Sequence, residues 1–369
     1  PRALLCAAAA GLLLGALGSE ARADSPSWWD TGLGDRIPRR RIILTYTSAE
    51  YPVWTPDRFL PYVTYVSAEG APQDWFFDTF LVLAYTAPSG RSLCPGFGAG
   101  PATLEDWRSY VDHRLFGGPG YVDERLWAQP GELGHLNEAV RIAGRALGEP
   151  NRRVRVLLAL PYPHPEAESF GSLDGRPLDL SQQEDRLEAL KWYVDYSLRR
   201  WMESRLDHLV LGGFYWIHEE VRPGDRALIP EVSALVRRRL LPLFWIPWFD
   251  APGVREWRSL GFHVALHQPN FYFYEVPPER LGEAAEIARR YHMGVELELD
   301  RRVLESEEHR LRYRRYLEAG VEFGYIAAGQ LGWYDDRALL ECSRSGRPEA
   351  RAIYEDTYRF VRGVWRPAP

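Results

Sequence analysis

Leu209-Val210-Leu211-Gly212-Gly213-Phe214-Tyr215-Trp216-Ile217-His218-Glu219-Glu220 is an apolar and aromatic run that ends abruptly in acid. It follows the strongest helical pattern of the chain, residues 182–206. There Leu187, Leu190, Trp192, Val194, Leu198 and Met202 recur at near-helical spacing with Arg and Glu between them. A helix feeding a buried strand is one half of a parallel βα unit, and the rest of the chain repeats it. Strands are expected at 41–46, 74–85, 154–160, 243–248, 262–267, 294–300 and 321–327, with the run at 209 as the fourth of eight. Helices are expected near 104–115, 130–147, 230–241, 278–291 and 303–319. Eight such units predict an α/β fold of the (β/α)8 TIM-barrel kind. It forms a single domain over residues 41–369, with extended loops at 86–153 and 161–181. An open doubly wound sheet fits less well, because no Gly-rich phosphate loop follows the first strand. Pro161, Pro247 and Pro269 stand where strands end, so their missing backbone donors cost little.

Residues 1–23 read as a secretory signal peptide. Arg2 precedes an apolar run over 3–17, and Ala21-Arg22-Ala23 has the small-x-small form of a cleavage site. A secreted or periplasmic location is therefore expected, with residues 24–40 as an N-terminal arm. The run is too short to span a bilayer comfortably, and no later stretch is long and apolar enough, so no stable membrane insertion is expected after cleavage. Cys6 lies in the leader, which leaves Cys94 and Cys342; an oxidising compartment permits a bond between them, but the sequence does not bring them together. A net charge of -6 gives no support for a nucleic-acid partner. Arginine-rich patches at 237–239 and 310–315 read as solvated helix faces.

The carboxyl ends of barrel strands are where such folds carry chemistry. On the fourth strand, period two places Tyr215, Ile217 and Glu219 on one face and Trp216, His218 and Glu220 on the other. Glu219 is the better candidate to face the mouth; Glu220 suits a loop cap or an arginine partner. On the seventh, Glu296, Glu298 and Asp300 share a face, and Val295, Leu297 and Leu299 share the other. Glutamates aimed at the outer helices would suffer heavy desolvation, so they are expected to point inward. Glu298 sits at the depth to act on a substrate, Glu296 lies deeper in support, and Asp300 is either a rim ligand or a loop cap. Two carboxyls converging at one mouth suit hydrolysis of a glycosidic bond: one protonates the leaving oxygen, the other attacks or activates water.

The candidate catalytic residues are therefore Glu219, Glu298 and Glu296. Sugar contacts are expected from aromatic rings and hydrogen-bonding groups at strand ends. Tyr46, Tyr85, Tyr162, His164, Trp216 and His218 come from the first half of the barrel. Trp248, Asp250, His267, Gln268, Asn270, Tyr272 and Asp300 come from the second. Asp78, near the start of the second strand, is placed low in the barrel as an ion-pair residue. No HExxH, GxSxG or CxxC segment is present, and neither a metal nor a cofactor is expected. Two rival readings keep the same mouth: a non-catalytic glycan-binding protein of the cell envelope, and a metal-dependent carbohydrate-active hydrolase using the dispersed acids.

Several short stretches carry a family resemblance, in this order: Leu44-Thr45-Tyr46, Phe76-Phe77-Asp78-Thr79-Phe80-Leu81, Asp106-Trp107 and Pro161-Tyr162-Pro163. Lys191-Trp192-Tyr193, Gly213-Phe214-Tyr215-Trp216 with Glu219, and Trp245-Ile246-Pro247 come next, then Gln268-Pro269-Asn270 and Gly294-Val295-Glu296-Leu297-Glu298. Over residues 41–335 the chain resembles the bacterial family catalogued as domain of unknown function 4855. The resemblance implies a secreted or surface-associated protein concerned with polysaccharide, and brings no agreed catalytic residues. The two glutamate positions look like those of TIM-barrel retaining glycosidases, an analogy of fold. The expected partner is a polysaccharide or oligosaccharide substrate.

Overall fold

The computed structural model describes residues 40–118 and 130–367. The expected signal peptide, and all of the expected arm except Arg40, lie outside the described residues. Eight parallel strands close into a barrel: β1 (Arg40–Tyr46), β2 (Thr79–Leu83), β3 (Val154–Leu160), β4 (Leu209–Trp216), β5 (Leu243–Trp245), β6 (Val264–His267), β7 (Gly294–Glu298) and β8 (Gln330–Tyr334). Each pairs with its neighbour in sequence, and β8 returns to β1 with Ile42 opposite Gly332. Every residue of β1, β2, β5, β6 and β7 is buried, as expected when helices cover a parallel barrel and side chains fill it.

Helices α1 (Pro56–Val63), α2 (Leu104–Ser109), α3 (Glu132–Ala146), α4 (Gln183–Glu203), α5 (Leu228–Arg237), α6 (Arg280–Tyr291) and α7 (Glu307–Glu322) surround the strands. Two more, α8 (Ala338–Arg344) and α9 (Pro348–Val361), complete the ring. In α4 the buried stripe is Arg186, Ala189, Leu190, Tyr193, Val194 and Ser197. That stripe is rotated from the one read in the sequence: Met202 is exposed, and Trp192 is only partly buried, stacked on Tyr196. The turn-rich segment after β3 is a small hairpin, Gly171–Leu173 with Arg176–Leu178.

Two strand expectations need correction. The run at 74–85 is two elements. Pro72–Trp75 pairs antiparallel with Thr64–Val66, and the amides of Phe76 and Phe77 donate to the carbonyls of Val63 and Tyr62, so the barrel strand starts only at Thr79. Strand eight is not 321–327 but β8 at Gln330–Tyr334. Helix α7 runs on to Glu322, Gly324 takes a left-handed φ of 80° just beyond its end, and Tyr325–Ala327 is one 3-10 turn. An aromatic run after a helix resembled a strand, but Tyr325 packs on Phe360 of α9 instead.

The fourth strand is irregular at one point. Its pairing with β3 skips from Leu211 to Gly213, which leaves Gly212 as a bulge. Gly213 has φ 152°, and a Cβ there would stand 2.7 Å from the Pro242 carbonyl oxygen. A bulge re-aims every later residue of its strand. At the opposite, amino-terminal end, Asp78 accepts the Arg41 amide at 3.3 Å and the Thr79 hydroxyl at 2.6 Å.

Candidate active site

β4 ends at Trp216, so Ile217 to Glu220 form the loop that leaves it, and the strict two-residue alternation stops short of the acids. Glu219 turns to the barrel mouth, where its carboxyl meets the Gln268 side chain. Glu220 turns aside to Arg222 (3.3 Å). On β7, Glu296 and Glu298 are buried and share the inward face. Gly332 on the neighbouring β8 has no side chain, which leaves room beside Glu296.

A polar chain joins the two outer glutamates. Gln268 meets Glu219 and also donates to the Ile246 carbonyl (2.9 Å). Asn270 donates to Gln268 Oε1 (3.1 Å) and to Glu298 Oε1 (3.3 Å). The side-chain oxygen of Asn270 in turn accepts the Phe249 amide at 2.8 Å. Asn270 has φ 50°, the left-handed region that Asn tolerates better than most residues. The opposite oxygen of Glu298 accepts from Tyr316, which reaches over from α7.

Burial sets the protonation of all three acids. It pushes Glu219 up to about 7, with the Gln268 hydrogen bond opposing and the Glu298 charge adding. It pushes Glu298 to about 7 against hydrogen bonds from Tyr316 and Asn270. Glu296 lies well above the usual carboxylate range, through burial first and then the charges of Glu298 and Glu219. Its Oε1 is buried without a hydrogen-bond partner. Three carboxyls therefore share one desolvated site, and not all can ionise at neutral pH.

Two hollows meet at Glu219. One, of about 670 Å³, is lined by Glu219, Trp248, Phe249, Asp250, Asn270 and Arg280, with Tyr274 and Glu275 at its edge. The other, of about 180 Å³, is bounded by Tyr85, Cys94, Phe97 and His218, and shares Glu219 and Trp248 with the first. Large aromatic side chains stand exposed around this mouth: Phe97 (45%), Phe273 (38%) and Tyr274 (59%). Phe97 stacks on Tyr85, 4.0 Å between centroids, and the Tyr85 hydroxyl meets that of Tyr46 at 3.1 Å.

The expected sugar contacts divide. Trp248, Asp250 and Asn270 line the larger hollow, and Tyr85 and His218 the smaller. Tyr46 and Gln268 are buried beneath them. Trp216 and His267 are enclosed in the core and present no surface. Both ring nitrogens of His267 lack a hydrogen-bond partner, and burial holds its pKa down to about 3, with Arg280 and Arg255 adding. Tyr162 is tied up in a buried network: its hydroxyl bonds Asp225 (3.1 Å), which also pairs with Arg186 (2.6 Å), and His164 lies partly buried against the Tyr162 ring. Tyr272 bonds Asp300, and Asp300 caps the 3-10 turn Arg301–Leu304 through the Arg302 amide (2.9 Å). Asp300 also borders a separate hollow with Ser306 and His309, so its loop-cap role is the one observed.

Phe97, Tyr215, Tyr316 and Arg280 are missing from the candidates read in the sequence. Tyr215 is buried near Glu219; burial first and then that charge raise its hydroxyl pKa, and its alternation with Glu219 in the sequence was a visible signal. Phe97 lies among Gly/Pro-rich turns, and Tyr316 and Arg280 lie in helices, where nothing in the spacing separates them from packing or surface residues. Cys94 and Cys342 are both free and buried. Among the described residues, no group of three or more His, Cys, Asp or Glu is arranged to hold a metal ion, and no helix is long and apolar enough to cross a membrane.

A family model matches residues 41–359. The chain belongs to the family described as Domain of unknown function (DUF4855). The match reaches beyond the 41–335 read in the sequence and takes in α8 and most of α9. No curated protein matches the chain. Solved structures that resemble it include a Bacteroides thetaiotaomicron protein provisionally described as an alpha-L-fucosidase, at 13% identity, covering 95% of this chain and 99% of that one with a TM-score of 0.48. A family GH18 chitinase catalytic domain from the fern Peteris ryukyuensis shares 11% identity, with 87% and 98% covered and a TM-score of 0.43. The xylanase TsXylA of Thermoanaerobacterium saccharolyticum shares 9%, with 85% and 89% covered and a TM-score of 0.39. These neighbours are glycoside hydrolases, but a tryptophan synthase alpha-subunit from Pyrococcus furiosus is also among them. Such distant overlap carries no argument about activity.

Proposed function

We propose that this DUF4855 protein is a glycoside hydrolase acting on a polysaccharide or oligosaccharide, with Glu219 as the general acid and Glu298 as the nucleophile or base. The observation that carries the reading is the linked pair itself. Glu219 and Glu298 sit at the carboxyl-terminal mouth, joined through Gln268 and Asn270, each pushed to about 7. Their surroundings separate the roles. Glu298 receives two side-chain hydrogen bonds, which favour its charged form. Glu219 has one such partner and a like-charged neighbour, which favours the proton it would deliver.

In the reaction Glu219 donates its proton to the glycosidic oxygen as that bond breaks. Glu298 either attacks the anomeric carbon or removes a proton from the attacking water. Glu296, beneath both, keeps its proton and so avoids a third negative charge beside the reacting carbon. The exposed rings of Phe97, Phe273 and Tyr274 offer faces on which pyranose rings stack.

The test is reducing-sugar release from a panel of bacterial and plant polysaccharides by the wild type, Glu219→Gln and Glu298→Gln. Each variant is expected to fold and to lose about 10²–10⁴-fold in rate. Undiminished release by both would end this assignment. Retention of a glycan by all three proteins without release would establish a binding protein in its place.

A further inference from the structure

Around the mouth, arginines are matched with acids: Arg222 with Glu220, Arg302 with Asp300, Arg312 with Glu275 and Glu308. Arg280 is different. It opens α6 and lines the 670 Å³ hollow with Glu219, yet among the described residues no carboxylate lies within ion-pair distance of it. Its guanidinium lies over the Phe249 ring, 3.8 Å from the centroid. Phe249 is held in place through its amide by Asn270, the residue that also reaches Glu298. A guanidinium stacked on a ring is fixed in plane and keeps its N–H edges for an acceptor arriving from the side.

Among the described residues, no carboxylate of the cleft forms an ion pair with Arg280. Glu275 is engaged by Arg312, and Asp250 faces the same hollow without an ion pair. We propose that Arg280 receives the carboxylate of an acidic sugar, which makes the substrate a uronic-acid-containing glycan. This rests on the reading of the cleft as a glycan site. A planar carboxylate matches the two parallel donors of one guanidinium. A sulfated chain would call for several clustered cations, whereas this hollow holds Arg280 beside Asp250 and Glu275. Bound this way, the acidic ring lies beside Trp248 and Glu219, and Asp250 is free to accept from sugar hydroxyls.

Binding and turnover are read separately. Affinity electrophoresis in a Glu298→Gln background, where the polymer survives, uses polygalacturonate and alginate, the same polymers with carboxyls reduced to alcohols, and dextran sulfate. Arg280→Gln and Arg280→Lys are added to that background, and reducing-sugar release is measured with Glu298 intact. Retention on a uronate polymer is expected. It should fall at least about 10-fold on carboxyl reduction and about 10-fold in Arg280→Gln, the loss of one bidentate contact. Arg280→Lys should recover part of it. Equal retention on the reduced polymer, preference for dextran sulfate, or an unaffected Arg280→Gln overturns the proposal. Uronate retention without release upholds this inference and removes the hydrolase. Release from neutral polymers, equal in wild type and Arg280→Gln, does the reverse. Neither retention nor release on any polymer removes both.

Discussion

Glu296 shows what placing an acid inside a barrel does to folding. Its buried carboxyl is held well above the usual range, while in the unfolded chain it ionises near 4.5. Below that pH both states hold the proton and the group is neutral to stability. As pH rises, the unfolded chain releases its proton while the folded site retains it, so stability falls with pH until the folded group itself ionises. Glutamine has no such proton. The melting temperature of Glu296→Gln should therefore match wild type near pH 4 and exceed it by about 2 °C or more at pH 8. A gap that stays constant with pH would contradict this account of the site. The positions of the three glutamates were readable from sequence, Glu219 as acid directly after a buried run and Glu296 and Glu298 through their shared strand face. Tyr316 and Arg280 were not, because their roles depend on which strand end a helix passes.

Among the elements, β7 depends on a residue with no side chain. A Cβ on Gly294 would lie 2.4 Å from the Gln330 carbonyl oxygen, a backbone atom of β8 that cannot swing away. Gly294→Ala should push the two strands apart, lowering stability by about 1–3 kcal/mol in urea titration. It should also displace Glu296 and Glu298, which lie further along the same strand, so glycan release should drop. An unchanged urea midpoint would mean that the strands have slack. Strand periodicity agreed with the structure along β7, where alternation runs unbroken from 294 to 298. On β4 the strand ends at Trp216, before the acids, so periodicity stops there and the loop sets the turn of Glu219 to the mouth; the Gly212 bulge, which a glycine pair alone does not announce, lies upstream. The eighth strand was misplaced because α7 supplies its own aromatic tail, whereas β8 is short and centred on Gly332.

At the scale of the whole molecule, closure relies on packing with no covalent cross-link in the described chain. Cys94 and Cys342 are buried and unpaired, and burial raises both thiols far above neutral pH. A reductant should leave the melting temperature unchanged, and both thiols should react with a disulfide reagent only after unfolding. A drop in melting temperature on reduction would reveal a bond between them. The last turn of the fold ties back to the first: Tyr62 of α1 donates to Asp335 after β8 (2.6 Å), and Tyr354 of α9 donates to the Pro61 carbonyl (2.7 Å). The barrel as a class was legible because eight buried runs alternate with helices. The loops that shape its mouth were not, since their side chains meet partners far away in sequence.

The crowding of carboxyls at one end of the barrel also gives the site a genetic signature. Natural selection for abundance alone would favour replacing those acids with neutral residues, because each replacement removes either a desolvated charge or a proton that the folded site holds and the unfolded chain releases. In a library of all single substitutions sorted by cellular protein level, Glu219, Glu296 and Glu298 should stand out as positions where change raises the yield. Sites that a cell keeps against its own proteostasis are sites it uses, and this pattern can be mapped before any substrate is in hand.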